Sequence, residues 1–399
     1  MESRTWWWIG GGAVVLALIL FFAFSGDETD DTTTIPVAAD STTTSEATTT
    51  TEGETTTTEG ESTTTTEAPP TFTALKVCFV TDDAGVDDLS FNFSGWEGVK
   101  AAAASGAAVD DGTFPILLES ASEADYQPHI ETCLAAGSEH IVTTGFKLGP
   151  TVEVFAPQNP EVQWTLIDAG SNAANVAGSE FQTDEAAFAA GYLAAGVTQT
   201  GIVATYGGLN IPTVAIFLDG YARGVAHYNE IKGTSVQVLG WDVATQDGTF
   251  TGTFNEAEPI VRATCESQLD EGADIILPVG GAINLPCGTA IQDRGIDAAL
   301  IGVDADAFHA MGEQYQDVWL VTILKGLKEA VTGSIEAHAS GAPLGGNSFL
   351  GNLENDAVGL SEFHSWSDSV TDELAAEVEQ ILADIQSGAI TWDKFTVGG

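Results

Sequence analysis

Between Thr81 and Asn92 the chain reads Thr-Asp-Asp-Ala-Gly-Val-Asp-Asp-Leu-Ser-Phe-Asn, with carboxylates at Asp82, Asp83, Asp87 and Asp88 beside Phe91 and Asn92. Clustered carboxylates accept hydrogen bonds from hydroxyl or amine groups, or gather a hard divalent cation. A phenylalanine adds a flat face that suits a planar ring. The apolar run at 76–80 just before this loop reads as a buried strand, and the Ser-Phe-Asn step reads as the start of a helix over 91–104. In open α/β sheets, ligands sit just beyond the carboxyl ends of the strands. The stretch therefore marks a small-molecule site.

The elements that must position such a site alternate along the chain. Strands are expected at 76–80, 114–118, 140–144 and 163–167, with helices at 91–104, 126–137, 151–155 and 186–198 between and after them. The series then restarts with strands at 201–205, 235–239, 275–279 and 300–303, and helices at 212–229, 258–272 and 285–294, before a last strand and helix within 319–339. Two successive βαβ series imply two parallel-sheet lobes of an α/β protein, and a cleft between lobes is a preferred place for a ligand. Strand ends repeatedly carry Asp or Gly: Asp82 and Asp83, Gly145-Phe146, Asp168, Gly207-Gly208, Gly280-Gly281 and Asp304-Ala305-Asp306. Asp and Gly also make turns and caps, but their recurrence at the same topological place, once per βα unit, points to one shared site.

Outside this core the composition changes. Residues 1–26 hold an uncharged apolar or Gly run from Trp6 to Phe24, preceded by Arg4 and followed by acids. That length suits a membrane anchor, with a cleaved signal segment as the rival reading; either one exports the remainder. Residues 27–75 are rich in Thr and Glu without Lys or Arg, a composition that cannot bury enough surface to order itself, and they read as a stalk. The formal net charge of -47 argues against nucleic acid and anionic lipid as partners. Export permits disulfides, and pairing Cys78 with Cys133 and Cys265 with Cys287 keeps each bridge within its own lobe. The six His residues are scattered and show no zinc-ligand spacing, so neither metal nor cofactor is expected.

The ordered markers Thr81-Asp82, Asp88-Leu89-Ser90-Phe91-Asn92, Gly95-Trp96-Glu97-Gly98, Asp168, Glu185 to Ala194, Gly207-Gly208, Pro212-Thr213-Val214, Phe217, Gly280-Gly281, Ile301-Gly302-Val303-Asp304 and Lys325 resemble the basic membrane protein family of ABC-transporter substrate-binding proteins, over nearly all of about 76–390. Characterised members of that family bind purine nucleosides. The resemblance implies a type I periplasmic-binding-protein fold with hinge crossovers and a ligand cleft. Lobe 1 is expected over about 76–198 plus 307–335, lobe 2 over 199–306 plus 336–365, and a C-terminal helix over 369–388. It further implies ligand contacts from Asp82, Asp83, Phe91, Asn92, Asp168, Phe254, Gly280, Asp304 and Lys325. Of these, Phe91 and Phe254 would stack on the base, Asp304 would accept from the ribose, and Lys325 would donate. Two departures stand out: Asp304-Ala305-Asp306-Ala307 replaces the family's Asp-Ser-Asp-Gln, and no lipid-anchoring Cys follows the N-terminal run.

A second resemblance is to the Asp-x-Asp-Pro-Gly-x-Asp-Asp calcium loop of nucleoside hydrolases, where the metal would activate a water. Here Thr81 replaces the first Asp and Ala84 the Pro. The expectation is therefore a non-enzymatic, extracytoplasmic substrate-binding protein of an ABC importer. It would be tethered to the membrane through its N-terminal segment, or released if that segment is cleaved, and would work with permease and ATPase subunits. A calcium-dependent hydrolase and a receptor for another small metabolite are the alternatives.

Overall fold

The computed structural model describes residues 71–393 except 347. The expected anchor and most of the expected stalk lie outside these residues. Residues 71–75 already belong to the fold: Leu75 is buried, and the Thr73 amide donates to the Ala339 carbonyl at 3.0 Å. No helix among the described residues is long and apolar enough to cross a membrane.

The first half comprises β1 (Val77–Val80), α1 (Phe91–Ala104), β2 (Ile116–Leu118), α2 (Tyr126–Ala135), β3 (His140–Thr144), α3 (Gly149–Phe155), β4 (Gln163–Ile167), β5 (Val176–Phe181) and α4 (Thr183–Val197). The second comprises β6 (Ile202–Gly207), α5 (Pro212–Lys232), β7 (Gln237–Leu239), the small ribbon β8 (Trp241–Asp242) and β9 (Asp247–Gly248), α6 (Pro259–Asp270), β10 (Ile275–Val279), α7 (Leu285–Arg294), β11 (Ala299–Asp304), α8 (Ala307–Ala310) and β12 (Trp319–Lys325). Then come α9 (Leu327–Ala339), β13 (Phe349–Gly351), β14 (Val358–Leu360) and α10 (Asp372–Gln386).

Two six-stranded sheets result, ordered β2-β1-β3-β4-β5-β13 and β7-β6-β10-β11-β12-β14. Every neighbouring pair is parallel except β12 with β14. The central strands are short apolar runs buried along their whole length, such as Val-Cys-Phe-Val in β1 and Ile-Ile-Leu-Pro-Val in β10, as parallel strands covered by helices require. This is the two-lobed α/β architecture the sequence led us to expect.

The lobe boundaries differ from the expected ones. The segment 307–335 was expected in lobe 1, yet β12 lies in the second sheet between β11 and β14. Only from α9 does the chain return to the first lobe, where Thr332 Oγ1 donates to the Gly98 carbonyl of α1 at 3.0 Å. β13 then extends the first sheet, although 336–365 was expected in lobe 2, and β14 returns to the second. The turn occurs at Gly326 because Lys325 must end a strand of one sheet while Leu327 opens a helix packed on the other. At the first crossover, Ala-rich α4 is nearly all buried and lies backbone-to-backbone on α5. A Cβ at Gly224 would stand 1.8 Å from the Phe188 carbonyl oxygen, so only glycine permits the approach. The helix expected over 369–388 is α10, which clasps this joint: Glu377 accepts from Tyr192 at 3.0 Å and pairs with Lys232 at 2.5 Å.

Cys78 is bonded to Cys133 and Cys265 to Cys287. The first bridge ties β1 to α2, and the second ties α6 to α7.

Candidate functional site

The carboxyl ends of β1, β3 and β4 in the first sheet and of β6, β10, β11 and β12 in the second converge on one cleft of about 600 Å³, including the solvent at its mouth. Asp82, Phe91, Asn92, Asp168, Phe254, Gly280, Asp304 and Lys325 all line it. Asp83 does not: it faces outward and its carboxylate pairs with Lys147, 2.9 Å away. Lys147 itself lines the cleft. Asp83 therefore holds a cleft residue rather than lining the cleft itself.

On the first-lobe wall, Asp88 caps helix α1. Its Oδ1 accepts from the amides of Ser90 and Phe93, both at 3.0 Å, and its Oδ2 accepts from the amide of Asn92 at 2.8 Å. A carboxylate at a helix start satisfies amides that have no partner inside the helix and complements its dipole. Asn92 then donates to Asp82 Oδ1 at 2.8 Å and to Asp88 Oδ2 at 3.1 Å, while its own Oδ1 accepts from Thr144 at 2.5 Å. The Ala84 amide also donates to Asp82 Oδ1, at 3.1 Å. Asn92 is thus committed to fixing Asp82, and both it and the Ala84 amide donate to the same oxygen, Oδ1. Burial pushes Asp82 up to about 6 and Asp88 up to about 7, against the pull of these hydrogen bonds.

Within the acidic loop, Asp88 turns its carboxylate onto the helix start, Asp82 accepts from Ala84 and Asn92, and Asp83 pairs with Lys147. That arrangement leaves Asp82 and Asp88 serving backbone and amide donors, and they do not form a converging set of three metal-ligating side chains among the described residues.

Across the floor of the cleft lies a buried ion pair. Lys325 Nζ is 2.6 Å from Asp168 Oδ1 and donates to Oδ2 at 2.7 Å. The ammonium also sits over three rings: Phe91 at 4.9 Å, Phe181 at 5.2 Å and Phe217 at 5.9 Å. Asp168 and Asp304 both adopt the left-handed backbone region, with φ of 62° and 67°, which Asp tolerates better than most residues. Burial raises the affinity of both carboxylates for a proton, and Lys325 opposes the rise. Asp304 Oδ2 accepts from Ser90 Oγ at 2.9 Å, joining the second sheet to the start of α1 across the cleft.

Phe254 arrives from the loop after β9 and rests on glycine. A Cβ at Gly280, whose φ is 148°, would meet the Phe254 ring at 2.7 Å. Gly280 therefore seats an aromatic ring as well as ending β10. The Lys147 ammonium lies 5.6 Å from the same ring.

Several lining residues were not singled out as site residues from the sequence: Asp88, Lys147, Thr213 and Phe217. Asp88, Thr213 and Phe217 stood inside quoted markers. For Lys147 the signal was rarity, since the whole chain has 11 Lys and Arg and this one directly follows the Gly145-Phe146 strand end.

Comparison with known proteins places this geometry in a family. The family described as "ABC transporter substrate-binding protein PnrA-like" matches residues 75–390. A CD4+ T-cell-stimulating antigen of Listeria monocytogenes is 28% identical over 79% of this chain and 87% of its own length. The ABC transporter nucleoside-binding protein BmpA of Lactococcus lactis is 24% identical over 80% of this chain and 89% of its own. Among solved structures, an ABC transporter solute-binding protein of Aeropyrum pernix superposes with a TM-score of 0.70 at 24% identity, covering 80% of this chain and 93% of that one. The chain belongs to the PnrA-like family of ABC-transporter substrate-binding proteins.

Proposed function

We propose that this member of the substrate-binding family captures a neutral nucleoside, with a purine nucleoside as the leading candidate, and delivers it without turnover to permease and ATPase subunits of an importer. The observation that carries the reading is the pairing of two phenylalanines from opposite lobes, Phe91 and Phe254, on a cleft whose polar lining is dominated by carboxylates. Aromatic faces suit a planar base. Asp82 and Asp304 supply acceptors for ribose hydroxyls or ring N–H groups, and Lys147 and Lys325 supply donors. Four lining Asp residues against two Lys residues leave an acidic excess that disfavours a phosphate. The substrate class is therefore the nucleoside rather than the nucleotide. The name of the Lactococcus lactis relative supports the same class. The apolar N-terminal segment supports an extracytoplasmic, membrane-tethered placement.

Isothermal titration of the protein with inosine, guanosine, adenosine and cytidine, and with the matching monophosphates, tests this. At least one nucleoside should bind, and its monophosphate should bind far more weakly. Tighter binding of the monophosphate, or release of free base in the presence of calcium, would overturn the reading.

A further inference from the structure

Outside the cleft, Asp306, His309 and His364 converge, their ligating atoms all lying within 4.8 Å of one another. Asp306 follows β11 and caps the short helix α8, its Oδ1 accepting from the Phe308 amide at 3.2 Å. His309 stands three residues on, which brings its Nε2 to 3.8 Å from Asp306 Oδ2. His364 comes from the segment after β14, 58 residues along the chain from Asp306, with its Nε2 at 2.9 Å from Asp306 Oδ2. Its ring is stacked flat on Phe308, with centroids 4.1 Å apart and planes at 7°.

From this geometry we infer a mononuclear site for a borderline divalent transition cation, zinc above all, held by Asp306, His309 and His364. Zinc bonds of about 2.0–2.2 Å to imidazole nitrogen and carboxylate oxygen, arranged tetrahedrally, set ligand atoms roughly 3–4 Å apart. The triangle here needs only small side-chain movements to match. Two imidazoles and one carboxylate favour zinc or its transition-metal neighbours over calcium or magnesium, which prefer all-oxygen shells. Three protein ligands leave a fourth position for water. The His364 side chain is 9% exposed and held by Phe308, while that of His309 is 70% exposed. One ligand is thus preplaced, and the other swings in from solvent to complete the shell. On binding, His364 Nε2 must present its lone pair to the metal, so its ring hydrogen resides on Nδ1 and the direct hydrogen bond to Asp306 gives way to metal bonds from both groups. The chain's strong negative charge favours cation capture in general, but it is the histidines that make this site selective: two of the chain's six converge on one carboxylate. The cation would tie the loop beyond β11 to the segment after β14, within the second lobe and apart from the nucleoside groups.

The test uses untagged full-length protein, stripped with chelator and titrated with zinc ion by calorimetry, with bound metal counted by elemental analysis. One equivalent should bind, and cobalt(II) should give the visible d–d absorption of a low-coordinate nitrogen–oxygen site. His309→Ala, at an exposed position that the fold does not need, should weaken zinc at least about tenfold, the lower end of what loss of even an outer-shell partner costs. His364→Gln should do the same, with circular dichroism checking that the fold persists. The inference fails if zinc does not bind stoichiometrically, or if His309→Ala binds it as tightly as the parent. Nucleoside titration of the same samples reads the cleft independently.

Discussion

Replacing Lys325 by Met should destabilise the apo protein more than any other single change in the cleft. Lys325 and Asp168 are 5% and 6% exposed, and their charged atoms are 2.6 Å apart. Met keeps the length and apolar stem of the side chain, so the main loss is the charge and its donors. Removing one partner of a buried pair leaves the other desolvated and uncompensated, which costs about 3–5 kcal/mol. At about 2 °C per kcal/mol for a fold of this size, the melting temperature should fall by about 6–10 °C. Asp168 cannot be tested by Ala without adding backbone strain at φ 62°, but Asn tolerates that region. Lys325→Met combined with Asp168→Asn should therefore recover part of the loss, because Asp168 no longer strands a buried charge, although Asp304 still loses the nearby ammonium. The single-variant loss should also shrink on acidification. Lys325 opposes the burial-driven rise of both Asp168 and Asp304, so without it both carboxylates take up protons more readily, and a proton removes the stranded charge. Scanning calorimetry of the parent, both single variants and the double at pH 5 and pH 8 measures all of this. A Lys325→Met protein that melts within a degree of the parent, or a double variant whose losses simply add, would refute the pair's role.

Three further outcomes are expected. Phe91→Ala should weaken nucleoside binding by about 5- to 150-fold in titration calorimetry, from a stacking contact of about 1–3 kcal/mol; unchanged affinity with early melting would make Phe91 core. Asp82 is raised from 3.8 to about 6, so the folded state holds more protons than the unfolded between those values and its stability falls as pH rises through that window. Asp82→Asn should flatten this dependence by up to about 3 kcal/mol, read from urea unfolding at pH 4 and pH 7. Reduction of Cys78–Cys133 and Cys265–Cys287, which close loops of 55 and 22 residues, should cost about 3–4 kcal/mol each while leaving nucleoside affinity intact, since each bridge lies on one side of the cleft.

The fold was legible wherever a helix or strand carried a single unbroken pattern. The expected 91–104, 140–144, 163–167, 275–279 and 285–294 coincide with α1, β3, β4, β10 and α7. β5 escaped notice because Val-Ala-Gly-Ser-Glu-Phe mixes glycine and a carboxylate into a strand stabilised by neighbours on both sides. β13 and β14 are three-residue edge strands, set by the crossovers and not by their own propensity. The same cause misplaced the lobe boundary near 306: the 319–339 run reads as one strand–helix unit, and nothing local says that its strand and helix serve different lobes. The site was legible as a set of strand ends and less so as roles. Asn92 has the composition of a ligand contact, yet its amide is spent on Asp82, Asp88 and Thr144. Asp83, chemically indistinguishable from Asp82 one position earlier, faces Lys147 instead.

That division between Asp82 and Asp83 bears on how the cleft selects. An ionised carboxylate is an acceptor on both oxygens, whereas a protonated one also brings an O–H donor, and desolvation works against ionisation at Asp82, Asp168 and Asp304 alike. Asp168 has Lys325, and Asp304 has Ser90 on one oxygen and Lys325 nearby. Asp82 has Asn92 and Ala84, both on the same oxygen. Lys325 thus serves both oxygens of Asp168, whereas the protein contacts named at Asp82 and Asp304 fall on one oxygen of each. A ligand rich in hydroxyl and N–H donors, and free of negative charge, relieves the cost of burying these groups. A phosphate adds to it, and an apolar ring alone leaves it unmet. Ser90 reaches Asp304 from the opposite lobe, so a hydrogen bond across the cleft also favours the ionised form of one of these acceptors.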